Sequence, residues 1–315
     1  RLEREHDNFR AALSWALERT ETEIALRLTA ALWRLWQMRG YLVEGRGWTE
    51  RALALPDAAE HPQARLRALT AAGGLAHWQM DVEGQRHHYE QALALARDLG
   101  DQPAVANALY DLGFPLIYTR ELDQARPLWE ESMALYTALG DRHGAARVQW
   151  TRAFFRALTG DLAGAEEDAR QALAASHELD DAFMVGWIHF TLGHIADLKG
   201  DYREARARWS QALRLFAEGD DHTGVTFQLE QLARLEANRG SSERAARLAG
   251  AARALRAASG TGLTASYGGD LRQEHVTRDD VVHDDATAEA WAQGQAMTRQ
   301  QAVAYALAEQ PTGDA

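Results

Sequence analysis

The chain has 315 residues, enough for two average domains or one extended repeat array. It is 46% hydrophobic and 25% charged with a formal net charge of −12, which excludes a disordered or fibrous chain and argues against direct nucleic-acid binding, because phosphates need a clustered basic surface. Without cysteine it has no disulfide, thiol nucleophile or thiolate metal site, and no apolar run approaches the ~18–20 residues of a membrane span.

Taken in order, the chain opens at Arg1 inside an amphipathic run (Leu2, Phe9, Leu13, Ala16, Leu17) spaced for a helix. Residues 1–19 therefore read as the second helix of a preceding repeat, and the chain as a piece of a larger protein. No signal peptide is recognisable, so the cytoplasm is the expected compartment.

A register of 40 residues governs positions 20–259. Ala12-Leu13, Ala52-Leu53, Ala92-Leu93, Ser132-Met133, Ala172-Leu173, Ala212-Leu213 and Ala252-Arg253 follow one another without a gap. Three residues earlier stands a mostly bulky position: Phe9, Thr49, Tyr89, Trp129, Ala169, Trp209, Ala249. Nineteen earlier stand Trp33, Gly73, Gly113, Ala153, Gly193 and Ala233. Small residues are needed where two helices cross closely, and large ones fill the groove beside the crossing. Six helix pairs are expected, in the third unit over 103–119 and 122–138. Gly40, Gly100, Gly140, Gly160, Gly200 and Gly240 supply helix ends, and Asp161 and Asp201 stand where the next helix needs an N-cap. A helix pair of this size does not bury its apolar face alone, so neighbours stack. An ordinary helical bundle is the competing reading, but it requires no common register.

Residues 260–315 break the pattern. Thr261 to Gly269 is rich in Gly, Ser and Thr and reads as a loop, followed by helices at about 284–293 and 299–309. Thr298 and Gln301 have capping-box spacing at the second start. The acidic run Asp279, Asp280, Asp284, Asp285 lacks the ligand order of a calcium loop and reads as a solvated helix start. This segment is expected to cap the last apolar face rather than to form a separate effector module.

The spacing small–(12)–small–(4)–bulky–(3)–small, as in Gly193, Ala205, Trp209 and Ala212, resembles the tetratricopeptide repeat, whose usual unit has about 34 residues. The expected fold is all-α, a right-handed superhelical solenoid of tetratricopeptide-like helix pairs with a 40-residue period and a C-terminal helical cap. The opening Leu2-Glu3-Arg4-Glu5-His6-Asp7-Asn8-Phe9-Arg10-Ala11-Ala12-Leu13 further resembles large ATP-dependent bacterial transcription regulators of the LuxR type. Ala31-Leu32-Trp33-Arg34-Leu35-Trp36 and the tail Ala290-Trp291-Ala292-Gln293-Gly294-Gln295-Ala296-Met297-Thr298 continue the likeness. In those proteins the repeats follow a nucleotide-binding domain, and a helix-turn-helix domain often comes after them. The resemblance implies a sensor region that binds a small-molecule inducer or a protein or peptide partner, with self-association left open. A receptor unconnected with transcription and an assembly scaffold are the alternatives.

Motifs of chemistry are absent. There is no G-x-x-x-x-G-K-[ST] phosphate loop, no G-x-S-x-G elbow and no H-E-x-x-H zinc helix. His189 and His194 stand five apart, about 140° around a helix, and do not share a face as metal ligands would. No enzyme, cofactor, metal or catalytic residue is expected.

Repeats of this kind expose the first helix of each pair on a concave face. With Gly113 as register, that face takes Asn107, Tyr110, Phe114 and Tyr118 from the third unit and His77 and Trp78 from the second. It takes Arg147, Trp150 and Phe154 from the fourth, Trp187, Phe190 and His194 from the fifth, and Phe227, Glu230 and Arg234 from the sixth. Aromatics interleaved with polar groups suit a peptide or small-molecule groove; the competing reading packs these rings between neighbouring units. Tyr110, Trp150, Phe190 and Glu230 would form a row. Gln149, Arg152 and Arg156 replace Leu109, Leu112 and Leu116 of the preceding unit. Either that helix is rotated, or the guanidinium groups meet carboxylates, or they bind an anion.

Overall fold

A computed structural model describes residues 2–262 and 277–308. After a 3₁₀ turn (Leu2–Glu5) comes α1 (His6–Glu18). Six helix pairs follow: α2 (Thr22–Arg39) with α3 (Leu42–Leu53), α4 (Pro62–Trp78) with α5 (Val82–Asp98), and α6 (Gln102–Tyr118) with α7 (Leu122–Leu139). Then come α8 (Arg142–Leu158) with α9 (Leu162–Glu178), α10 (Ala182–Leu198) with α11 (Tyr202–Glu218), and α12 (His222–Asn238) with α13 (Ser242–Ser259). The chain closes with α14 (Arg278–Val281), α15 (Asp285–Gln295) and α16 (Arg299–Leu307). The described residues contain no strand, and successive helices pack in chain order as an all-α solenoid.

The 40-residue period has a local cause. Most of these helices are 17 residues long, and the next starts after three linking residues. Each link is a helix stop fused to a helix start. At the stop one residue turns left-handed, for example Gly160 at φ +89° and Asp180 at +53°. The following amide then reaches back to the carbonyl five residues earlier, Asp161 to Arg156 at 3.0 Å and Asp181 to Ser176 at 2.9 Å, which closes a Schellman motif. That same aspartate caps the next helix. Asp161 accepts from the Gly164 amide, Asp181 from Met184 and Asp201 from Glu204, each at 3.0 Å. The link after α3 differs because Leu55-Pro56 stops the helix early, and a 3₁₀ turn (Ala58–Glu60) fills the remaining length.

Two compact units arise. The first comprises described residues up to 148 together with 260–262, and the second comprises 149–259 with 277–308. In the first, one core joins Leu26, Ala25 and Ala52 to Ala64 and Ala68, and another joins Leu66, Leu69 and Leu93 to Val105 and Leu109. In the second, Ala153, Ala169, Ala172, Ile188 and Ile195 form the corresponding layer. Each fully buried Leu or Ile contributes about 1.5–3 kcal/mol of transfer free energy.

The C-terminal helices belong to the second unit. α15 lies against α13 with glycine at the crossing on both sides: a Cβ on Gly250 would strike the Trp291 carbonyl, and one on Gly294 the Arg247 carbonyl. Thr298 and Gln301 form the capping box, with the Thr298 amide donating to Gln301 at 2.8 Å. Asp280 and Asp284 act in the starts of α14 and α15. Most of the expected loop at 261–269 lies outside the described residues.

Candidate functional site

Within the first unit, α2, α4, α6 and the start of α8 border one cleft of about 920 Å³. Helices at equivalent places in successive pairs thus present one continuous face. Near the starts of these helices the lining mixes apolar groups, Ile24 and Leu28 of α2, Leu66 of α4, and Pro103 and Ala104 of α6, with Arg27, Gln63, Arg67 and Asp101. The other end is polar and aromatic, with Trp33 and Arg34 of α2, Tyr89 of α5, Asn107 and Asp111 of α6, and Arg147 of α8.

Trp33 reaches this cleft through an exchange of volumes. Gly73, Gly113 and Gly193 each carry a large ring from the second helix of their pair: Tyr89, Trp129 and Trp209. In α2 the large ring is Trp33 itself, and its α3 counterpart is the buried Thr49. The Trp33 indole lies instead over Gly74, where a Cβ would come within 2.7 Å of it. The Arg34 guanidinium stacks 4.0 Å from the Trp33 ring centroid.

At the polar end Arg147 donates to Asn107 at 3.2 Å and faces Asp111 at 3.5 Å. It also covers the Tyr110 ring at 4.1 Å. Tyr136 donates its hydroxyl to the same Asn107 oxygen at 2.8 Å, which fixes the amide. Burial raises the Asp111 carboxyl above the ordinary range, opposed by Arg147 and Arg34. Burial likewise raises Tyr89 well above the usual phenol value, and Asp111 adds to that shift. Loss of solvent is therefore the dominant influence on these groups.

The predicted site residues divide between lining and core. Asn107 and Arg147 line the cleft. Tyr110 does not, being only 3% exposed beneath Arg147. His77, Phe114 and Tyr118 meet in a cluster at the far ends of α4 and α6, with His77 centroids 5.4 Å from Phe114 and 5.9 Å from Tyr118. Gln85 holds the His77 ring at 3.1 Å, and burial with the Arg34 charge brings its pKa down to about 4. Trp78 is buried, and its carbonyl accepts from the Thr261 hydroxyl at 2.9 Å.

In the second unit the expected groove row is corrected. Phe190 (1% exposed), Phe227 (2%), Trp187 and His194 interlock as core: Trp187 lies 5.6 Å from Phe227, and Phe190 lies 4.6 Å from His194. Glu230 is buried in a two-pronged ion pair with Arg256 at 2.6 and 2.7 Å, and Arg234 pairs with Asp197 at 3.1 Å. Trp150 donates to Thr191 at 2.7 Å, and Phe154 is half-buried. Helices this long share their inward rings with the next pair, so rings expected to face a ligand are spent on packing. The anomalous arginines meet carboxylates: Arg152 and Arg156 both reach the buried Asp168, at 2.5 and 3.1 Å.

Sequence reasoning missed Trp33, Arg34, Tyr89 and Asp111. The available signal was the inverted size order of Trp33 and Thr49 in the repeat alignment.

With this geometry in hand, the class of fold is that of helical-repeat solenoids. Its structural relatives include BtubC from P. vanneervenii, with TM-score 0.52 and 18% identity over 70% of this chain and 92% of that one. They also include the Rap protein complexed with Competence and Sporulation Factor, with TM-score 0.57 and 13% identity over 76% and 78%. At such identities the likeness is one of fold. No family model matches the chain. Over 133 residues, 38% of its length, it is 34% identical to mycobacterial proteins described as "Putative HTH-type transcriptional regulator", from Mycobacterium bovis and two strains of Mycobacterium tuberculosis. The match spans 14% of the length of those relatives. No helix among the described residues is long and apolar enough to cross a membrane.

Proposed function

We propose that this chain is the non-catalytic sensor region of a cytoplasmic bacterial transcription regulator of the LuxR type, and that a small-molecule inducer or a peptide occupies the cleft between α2, α4, α6 and α8. The observation that carries the reading is the cleft itself, lined by inward helices of four successive pairs. Its volume falls within the ~300–1,000 Å³ range of small-molecule sites, and its lining combines apolar walls with charged and polar groups along its length. The local identity with HTH-type regulators supports the transcriptional setting, and the Rap neighbour, solved with a bound factor, supports a ligand-binding use of the fold. A ligand bridging α2, α4, α6 and α8 would favour one relative arrangement of these helices, and that preference is what a flanking domain would read.

The test is genetic. A Trp33→Ala/Asn107→Ala variant placed at the native locus should reproduce the transcript profile of a strain deleted for the gene. A variant strain whose profile matches wild type overturns the reading, provided the protein accumulates normally.

A further inference from the structure

We infer that the ligand of this cleft is an organic anion with an apolar body, its acid group held between Arg34 and Arg147. The inference rests on the proposed sensor role of the cleft and names the chemistry of its ligand. Arg27, Arg34, Arg67 and Arg147 line the cleft against two carboxylates, Asp101 and Asp111. Asp101 caps α6 by accepting from the Ala104 amide at 3.0 Å and keeps its charge there. Asp111 stands alone beside Arg147, and both Arg147 and Arg34 act on its titration. Arg67 has no ion-pair partner among the described residues. Four guanidinium groups stand against two carboxylates in the lining, with Arg27 also meeting Glu23 at 3.4 Å, so a positive excess remains in one concavity of a chain whose net charge is −12. Diffuse surface composition does not produce that contrast, and a cleft of one sign concentrates ligands of the other.

The rest of the lining sets the body of the ligand. From Ile24 to Arg34 the cleft follows ten residues of α2, about 15 Å at the helical rise. Ile24, Leu28, Leu66 and Pro103 give apolar surface toward the helix starts, beside Arg27, Arg67 and Asp101, while the Trp33 face and Tyr89 flank Arg34, Asp111 and Arg147. A cation is repelled by the arginines, and a neutral polar molecule leaves the apolar wall residues unmatched. A carboxylate or phosphate with a hydrophobic tail or ring satisfies both kinds of lining, because guanidinium groups bind such acids through charge-assisted hydrogen bonds.

The experiment compares two fluorescent probes on the 315-residue chain: anionic 8-anilinonaphthalene-1-sulfonate and neutral N-phenyl-1-naphthylamine. The anion should bind about tenfold more tightly, matching one charge-assisted contact of about 1.4 kcal/mol, and its affinity should fall with added salt. Arg34→Gln, at an exposed position, should remove most of that advantage and leave the neutral probe unchanged. Arg147→Gln should do the same, and Trp33→Ala should weaken both probes; circular dichroism checks that each variant folds. Equal affinity for the two probes, unaffected by Arg34→Gln, overturns the anion preference while leaving the cleft as the site. If Trp33→Ala alters neither probe, the cleft is not where they bind, and the sensor reading falls with the inference.

Discussion

Trp209 packs against Gly193, and its indole nitrogen donates to the backbone carbonyl of Phe190 at 3.2 Å. Trp129 repeats the arrangement on Gly113, donating to the Tyr110 carbonyl at 3.1 Å. One ring thus fills the crossing and satisfies a buried carbonyl. A Cβ at Gly193 would overlap the indole, so Gly193→Leu should destabilise the protein by about 1–3 kcal/mol or more. Trp209→Phe keeps most of the packing and should lose about 1 kcal/mol for the hydrogen bond. Urea midpoints measure both; an unchanged midpoint for Gly193→Leu removes the crossing register.

The links give a signed pair. Asp180 is left-handed at φ +53° where Gly160 occupies the equivalent stop at +89°. Asp180→Gly relieves a side-chain penalty and should stabilise by about 0.5–1 kcal/mol, while Gly160→Ala should cost about 1 kcal/mol. The two melting-temperature shifts should have opposite signs.

The Glu230–Arg256 pair is buried on both sides. Burial raises the Glu230 carboxyl above its ordinary range even with Arg256 beside it. Glu230→Gln strands the guanidinium and should cost about 3–5 kcal/mol, whereas Glu230→Leu/Arg256→Met should regain most of that stability. A double variant no more stable than Glu230→Gln contradicts this account.

Buried histidines set the acid response. His189 is lowered to about 4, chiefly by burial with the Arg208 charge adding, and burial takes His194 well below its usual value near 6.5. A lowered folded-state value means that stability is present above about 6.5 and is lost as pH falls toward 4, at about 1.4 kcal/mol per pH unit for each histidine. Denaturant melts from pH 7 to 5.5 should show that slope. His189→Gln should flatten it by one histidine's share; an unchanged slope shows that His189 protonates freely when folded.

Much of the fold was legible because its causes are local. The third pair was expected at 103–119 and 122–138 and is found at Gln102–Tyr118 and Leu122–Leu139. Thr298 and Gln301 announced α16. The glycine-free stops at Thr20, Met80, Arg120, Asp180 and Asp220 were not legible, since those residues adopt the left-handed turn against their own preference. Site residues were harder to read. A position such as Phe190 faces inward in any repeat, but whether it meets a ligand or the next helix depends on the ring opposite, here Phe227 at 6.0 Å. Arg152 read as an anomaly because Asp168, its partner, lies on the other helix of the pair.

The most direct test of the account uses the absence of native cysteine. Thr70 lines the cleft and Thr159 is exposed after α8, so Thr70→Cys and Thr159→Cys each offer a single thiol. Alkylation by N-ethylmaleimide is timed with and without saturating 8-anilinonaphthalene-1-sulfonate. The account predicts that the anion slows modification at position 70 several-fold and leaves position 159 unchanged. Equal rates at position 70 with and without the anion would contradict it.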